Sequence, residues 1–337
     1  VGNGDAIETT VTTLTSTNST AGNIEVTETD NLALVAVVQT TNVAGNDIQI
    51  ISLGGGLTDG GDDASDITAG TNSNVFLSAQ TGIGSADAID TAITDLVVEN
   101  LGGAGNIQIS NTGDLNLIAD FTGIGAVAAQ GVNQDSGGDV TIDVVGDLNV
   151  NAAVNLVANG NLSLAATVDV NFAAAGDVLT VGTGNISVEA SSEQDVGSGG
   201  AIIMTDGTIL DAGSGTVTYL ADGSITLGSV TTTNATNNAV RITSVNGGII
   251  DGGDTDDDIN ADTAGALTTL VAATGIGAAG ALDVDLATLT IQNTAQGDVN
   301  INEEDSVILD NLDAALNDGV FLADGNFDID AAVNVEV

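Results

Sequence analysis

The chain has 337 residues, 42% of them hydrophobic but only 2% aromatic, and a net charge of −46 with one basic residue, Arg241. Phosphate binding needs Lys and Arg, so nucleic acid and anionic membrane surfaces are excluded as direct partners, while the apolar fraction excludes a disordered acidic tail. With no Cys, His or Pro anywhere, disulfides and imidazole chemistry are excluded too.

Scarce aromatics imply a thin core of Val, Ile, Leu and Ala, which suits a stacked solenoid better than a two-layer globule. No apolar run approaches the ~18 residues of a transmembrane helix. The chain opens on Val1 without a charged leader, so it reads as a processed product or a piece of something longer.

From the N-terminus, residues 13–30 (TLTSTNSTAGNIEVTETD) align without a gap on 288–305 (TLTIQNTAQGDVNINEED), sharing Leu14/Leu289, Asn18/Asn293, Gly22/Gly297, Glu28/Glu303 and Asp30/Asp305. A looser copy spans 95–113. A longer cassette, 55–84, recurs at 247–277, and each copy ends in Thr-Gly-Ile-Gly, at Thr81–Gly84 and Thr274–Gly277. A third such turn stands at Thr122–Gly125. Residues 86–99 carry a helix-like apolar spacing, but their equivalent at 282–291 alternates, so both read as strands.

Residues 138–188 set the rhythm of the chain. Gly138-Asp139, Gly146-Asp147, Gly160-Asn161, Gly176-Asp177 and Gly184-Asn185 each open a short alternating strand. Gly is expected to supply the positive φ of a tight turn, with Asp or Asn tolerating the left-handed region beside it. Alternation points Val140, Ile142, Leu148, Val150, Leu162 and Leu164 inward, and Thr141, Asn149 and Ser163 outward. Three further strands follow around Ile202–Met204, Thr216–Leu220 and Ile225–Leu227.

Two strand starts recur over ~22 residues, the length of one coil, which predicts an all-β parallel β-helix of about 15 coils running as one continuous solenoid over 1–337. A sandwich or barrel would not explain the nested repeats and usually brings aromatics and Pro-bearing loops. Neither Val1–Thr10 nor Gly325–Val337 reads as an amphipathic capping element, so both ends are expected to be open.

The stretch Ala201–Gly228, the Thr-Gly-Ile-Gly turns and blocks such as Gly22–Leu32 resemble the long β-strand-repeat surface proteins of bacteria, filamentous-haemagglutinin-like adhesins and autotransporter-type passengers. The resemblance implies a right-handed β-helix, secretion to the cell surface, and a role as fibre, stalk or adhesin. The family's secretion signal, cell anchor and receptor-binding tip are not visible in these residues.

Candidate chemistry is sparse. Polysaccharide lyases need a basic residue beside an anionic sugar, and Arg241 alone is a poor basis for one. Carboxylate pairs could serve acid–base work, but the acids cluster in Gly-rich turns, where solvated corners are the default, so no enzyme is expected. Asp59, Asp62, Asp63 and Asp66 in one turn, and Asp251, Asp254, Asp256, Asp257 and Asp258 in its duplicate, are the candidate calcium ligands. Calcium takes six to eight oxygens, and flexible turns let several converge, though the spacing matches neither the EF-hand nor the nonapeptide calcium roll. No cofactor is required. The sequence reads as an extracellular structural module whose partners are copies of itself or adjacent modules, end to end. The alternative is a calcium-dependent adhesin for glycans or another cell surface.

Overall fold

Val, Ile and Leu at every second position, broken every few residues by Gly, Asp or Asn, leave the chain one way to bury its apolar side: short strands stacked rung on rung. A computed structural model describes residues 1–2, 5–61, 64–103, 105–119, 121, 131–190, 199–253, 256–315, 319–323, 325, 327–329 and 333–336. The chain is an all-β parallel solenoid of about twelve turns, without a helix among the described residues. It divides into two compact units, Val1–Leu164 and Ala165–Val337.

In the first unit the strands Ile24–Glu28, Ile48–Ser52, Asn74–Ala79 and Asp95–Asn100 stack in that order in one sheet. The next coil splits this rung into Leu115–Leu117 and Val132–Gln134, both pairing with Asp95–Asn100. The opposing sheet runs through Leu32–Gln39, Ile67–Ala69, Ile89–Ala92, Ile107–Thr112 and Val140–Val145. Between the sheets lies the core. One inward column, Val26–Ile50–Leu77–Val98–Val132–Val154, is in register throughout and almost fully buried. Each such side chain contributes about 1.5–3 kcal/mol of burial.

The second unit is built the same way. The pair Ile202–Met204 and Ile209–Asp211 is followed by Ile225–Leu227 with Ser229–Thr231, then Ile249–Asp251 with Ile259–Ala261. Longer rungs at Leu282–Leu286, Val299–Glu303 and Gly319–Ala323 complete that sheet. Its opposing sheet carries the inward column Val188–Tyr219–Ile242–Leu270–Ile291–Leu312.

The turns are fewer than expected because coil length varies and many coils run longer than the expected ~22 residues. Paired rungs lie 19 residues apart at Leu282 and Ile301 but 34 apart at Val98 and Val132. The alternation of 138–188 holds: Val140, Ile142, Leu148, Val150, Leu162 and Leu164 are buried, while Thr141, Asn149 and Ser163 are partly exposed on the outer face. The positive φ expected of the glycines is found at Gly146, at +149°, and is corrected at Gly138 and Gly160. Gly138 and Gly160 are not in the left-handed region; a Cβ on either would lie 2.1 Å from a carbonyl oxygen of the preceding coil, that of Gly105 or Gly138. Their requirement is close stacking of corners. The Asp or Asn that follows accepts an N–H from the coil above. Asn106 takes the Asp139 N–H at 3.0 Å, and Asp139 takes the Asn161 N–H at 2.8 Å.

The duplications are structural. Asn18 and Asn293 end their strands buried and donate to Gly22 O and Gly297 O, at 2.6 and 3.1 Å. Ile83 and Ile276, the isoleucines of two Thr-Gly-Ile-Gly turns, each form a one-residue rung, bridging Leu57 to Ile107 and Ile249 to Val299. The third such turn lies outside the described residues. One feature has no sequence precedent: Phe121 packs on Phe76 at 5.4 Å, covering the outer sheet face with Val97, Ile51 and Ile118.

Candidate metal centre

The duplicated acidic turns hold their carboxylates in different ways. Asp59 and Asp251 close Asx turns on Gly61 N and Gly253 N, at 3.0 and 2.7 Å. Asp66 and Asp258, both almost fully buried, reach up one coil and accept the N–H of Asp90 and of Asp283, at 3.1 and 3.0 Å. Burial pushes the Asp66 carboxyl up to about 7; the Asp90 N–H opposes the shift and the Asp59 charge adds to it. Asp62, Asp63 and Asp254 lie outside the described residues. Asp256 and Asp257 line a groove of about 800 Å³ on the second unit, together with Thr231, Asn260, Asp283 and Glu304.

Carboxylates converge beside this groove, with Asp257 and Glu304 from its lining. On the outer sheet face, register places Thr231 beside Asn260 and Asn260 beside Asp285. The Asn260 amide donates to Asp257 Oδ2 at 3.2 Å and to Asp285 Oδ2 at 3.1 Å. Asp257, Asp285 and Glu304 bring carboxylate oxygens within 4.8 Å of one another, and so do Asp262, Asp285 and Asp305. Asp285 belongs to both sets. Its carboxyl is pushed up by burial first, then by the charges of Asp262, Asp305, Asp257 and Glu304.

Glu303 also lines the groove and is 2% exposed. Its Oε1 accepts the Leu286 N–H at 3.0 Å, while Oε2 meets no donor. Burial pushes Glu303 up to about 7, against the pull of the Leu286 and Asp305 N–H groups and with the charges of Asp285 and Asp305 adding to the rise.

An oxygen-only donor set of this kind suits a hard cation such as calcium. Of the candidates read from the sequence, only Asp257 belongs to either converging set among the described residues. Asp262, Asp285, Glu304 and Asp305 were not singled out as ligands, because their convergence depends on a register between strands 25 and 19 residues apart, Asn260 to Asp285 and Asp283 to Asn302. The available signal was the outward alternation of Asp283 and Asp285 around buried Val284. No protein-family profile, curated protein or solved structure matches the chain significantly.

Proposed function

We propose that this protein is a non-enzymatic structural module of an extracellular or cell-surface filament, assembled by end-to-end stacking of coils with copies of itself or with adjacent modules of the same protein. The observation that carries the reading is the parallel, in-register ladder of columns such as Val26–Ile50–Leu77–Val98–Val132–Val154. A parallel rung leaves N–H and C=O groups directed along the stacking axis, so every coil is a template for the next. The resemblance to adhesin-type β-helix proteins supports secretion and a surface role. Acidic outer faces keep such a stack hydrated and apart from its neighbours.

Electron microscopy and fibre diffraction of concentrated protein at physiological salt test the assembly. Filaments with an axial repeat near ~4.8 Å are expected. Monomers at every concentration and ionic strength would rule the assembly out. Incubation with a panel of neutral and acidic polysaccharides tests the absence of catalysis, and any chain shortening would contradict it.

A further inference from the structure

The two copies of the strand block build the same corner differently. In the first copy Glu28 is fully buried and its carboxylate is saturated. Oε2 accepts from Thr9 Oγ1 at 2.5 Å and Val11 N at 2.8 Å, and Oε1 from Thr29 N at 2.8 Å and Thr29 Oγ1 at 3.3 Å. Glu303 occupies the equivalent place in the second copy, and Leu286 donates to it as Val11 does to Glu28. The positions matching the two threonines are Val284 and Glu304. Both hydroxyls are gone, one replaced by an apolar side chain and the other by a carboxylate. Glu303 Oε2 is left buried and without a hydrogen-bond partner, a costly state for a polar atom.

The same replacement moves a negative charge toward others. Glu304 comes within 4.8 Å of Asp257 and Asp285, beside Asp305, which matches Asp30 of the first copy and lies within 4.8 Å of Asp262 and Asp285. Like charges on neighbouring rungs repel, and the chain's one basic residue, Arg241, lies on the opposing sheet of this unit. A saturated corner has therefore become one whose carboxylates outnumber their donors, the Asn260 amide and the Leu286 and Asp305 N–H groups, while the one cation of the chain lies on the other sheet.

We propose that this corner binds calcium, with Asp285 the shared ligand of two sets, Asp257 with Glu304 and Asp262 with Asp305, beside a groove that the buried Glu303 also lines. Carboxylates from two rungs and an adjacent turn supply the several oxygens that calcium takes at flexible geometry, whereas magnesium demands a near-ideal octahedron. The chain has no Cys or His, so a softer transition metal finds no preferred ligand.

The test is calorimetric titration of calcium chloride into the full chain at physiological salt with magnesium in excess, so that diffuse screening of the −46 charge is already satisfied. Wild type, Asp285→Asn, Glu304→Gln and the control Asp59→Asn are compared. Saturable uptake is expected in wild type and in Asp59→Asn, weakened by about tenfold or more in the other two. Equal uptake in all four proteins, or no saturable uptake in any, overturns the proposal. Glu304 is exposed, so its variant decides the matter if Asp285→Asn fails to fold. The result does not depend on whether copies assemble.

Discussion

The only tyrosine and the only methionine of the chain touch: the Tyr219 hydroxyl donates to Met204 Sδ at 3.5 Å inside the second unit. Tyr219 is fully buried, and burial holds its hydroxyl protonated well above the usual tyrosine range. A thioether is a weak acceptor, so the ring supplies the stabilisation and the hydroxyl little. Tyr219→Phe is expected to change stability by less than about 1 kcal/mol, and Tyr219→Ala to cost about 3–5 kcal/mol. With no tryptophan in the chain, the tyrosine emission itself follows unfolding in urea. Tyrosinate absorbance rising at ordinary tyrosine pH without loss of circular dichroism would contradict the burial.

Adjacent glycines separate stacking from flexibility. A Cβ on Gly138 would meet Gly105 O at 2.1 Å and Gln134 Nε2 at 2.5 Å, whereas on Gly137 the nearest atom is the Ala158 Cβ at 3.9 Å. Gly138→Ala is expected to cost about 2–4 kcal/mol by forcing two coils apart, and Gly137→Ala to stay within about 0.5 kcal/mol of wild type. Melting temperatures of the two variants, measured side by side, check the contrast.

These positions mark how far the sequence could be read. Alternation is local, so strands and their inward residues at 138–166 follow from composition at every second position. Internal duplication was equally plain, because Asn18/Gly22 and Asn293/Gly297 repeat both the residues and the hydrogen bond. Gly138 was read as a turn-former because a sequence shows chain neighbours and not the carbonyl of the coil below. The carboxylate set was hidden for the same reason: Asp257, Asp285 and Glu304 meet only once coils of unequal length have chosen a register.

Acidity is expected to stabilise the calcium-free protein. Burial raises Asp66 from 3.8 and Glu303 from 4.5, each to about 7. The native state therefore holds protons that the unfolded chain has released. That contribution is complete below the ordinary carboxylate range and is lost as pH climbs through about 7. In chelator-containing buffer the melting temperature should rise as pH falls from 8 to 5.5, and Asp66→Asn with Glu303→Gln should flatten the slope. A melting temperature that is constant or higher at pH 8 would show that these carboxyls do not titrate in this way.

Arg241 offers a direct probe of the ladder. It is the chain's only trypsin site, and its side chain is exposed. Its backbone lies within the strand Val240–Ser244, paired to Thr218 on one side and Thr269 on the other. A protease needs an extended segment free of its neighbours, so cleavage requires an opening of at least these rungs. Native protein is expected to survive trypsin intact. In urea concentrated enough to unfold the second unit, cutting should produce two fragments, one ending at Arg241 and the other beginning at Ile242. The rate of appearance of those fragments against urea then measures the stability of the central rungs. Rapid cleavage in native buffer would place Arg241 in an open segment and contradict the pairing with Thr218 and Thr269.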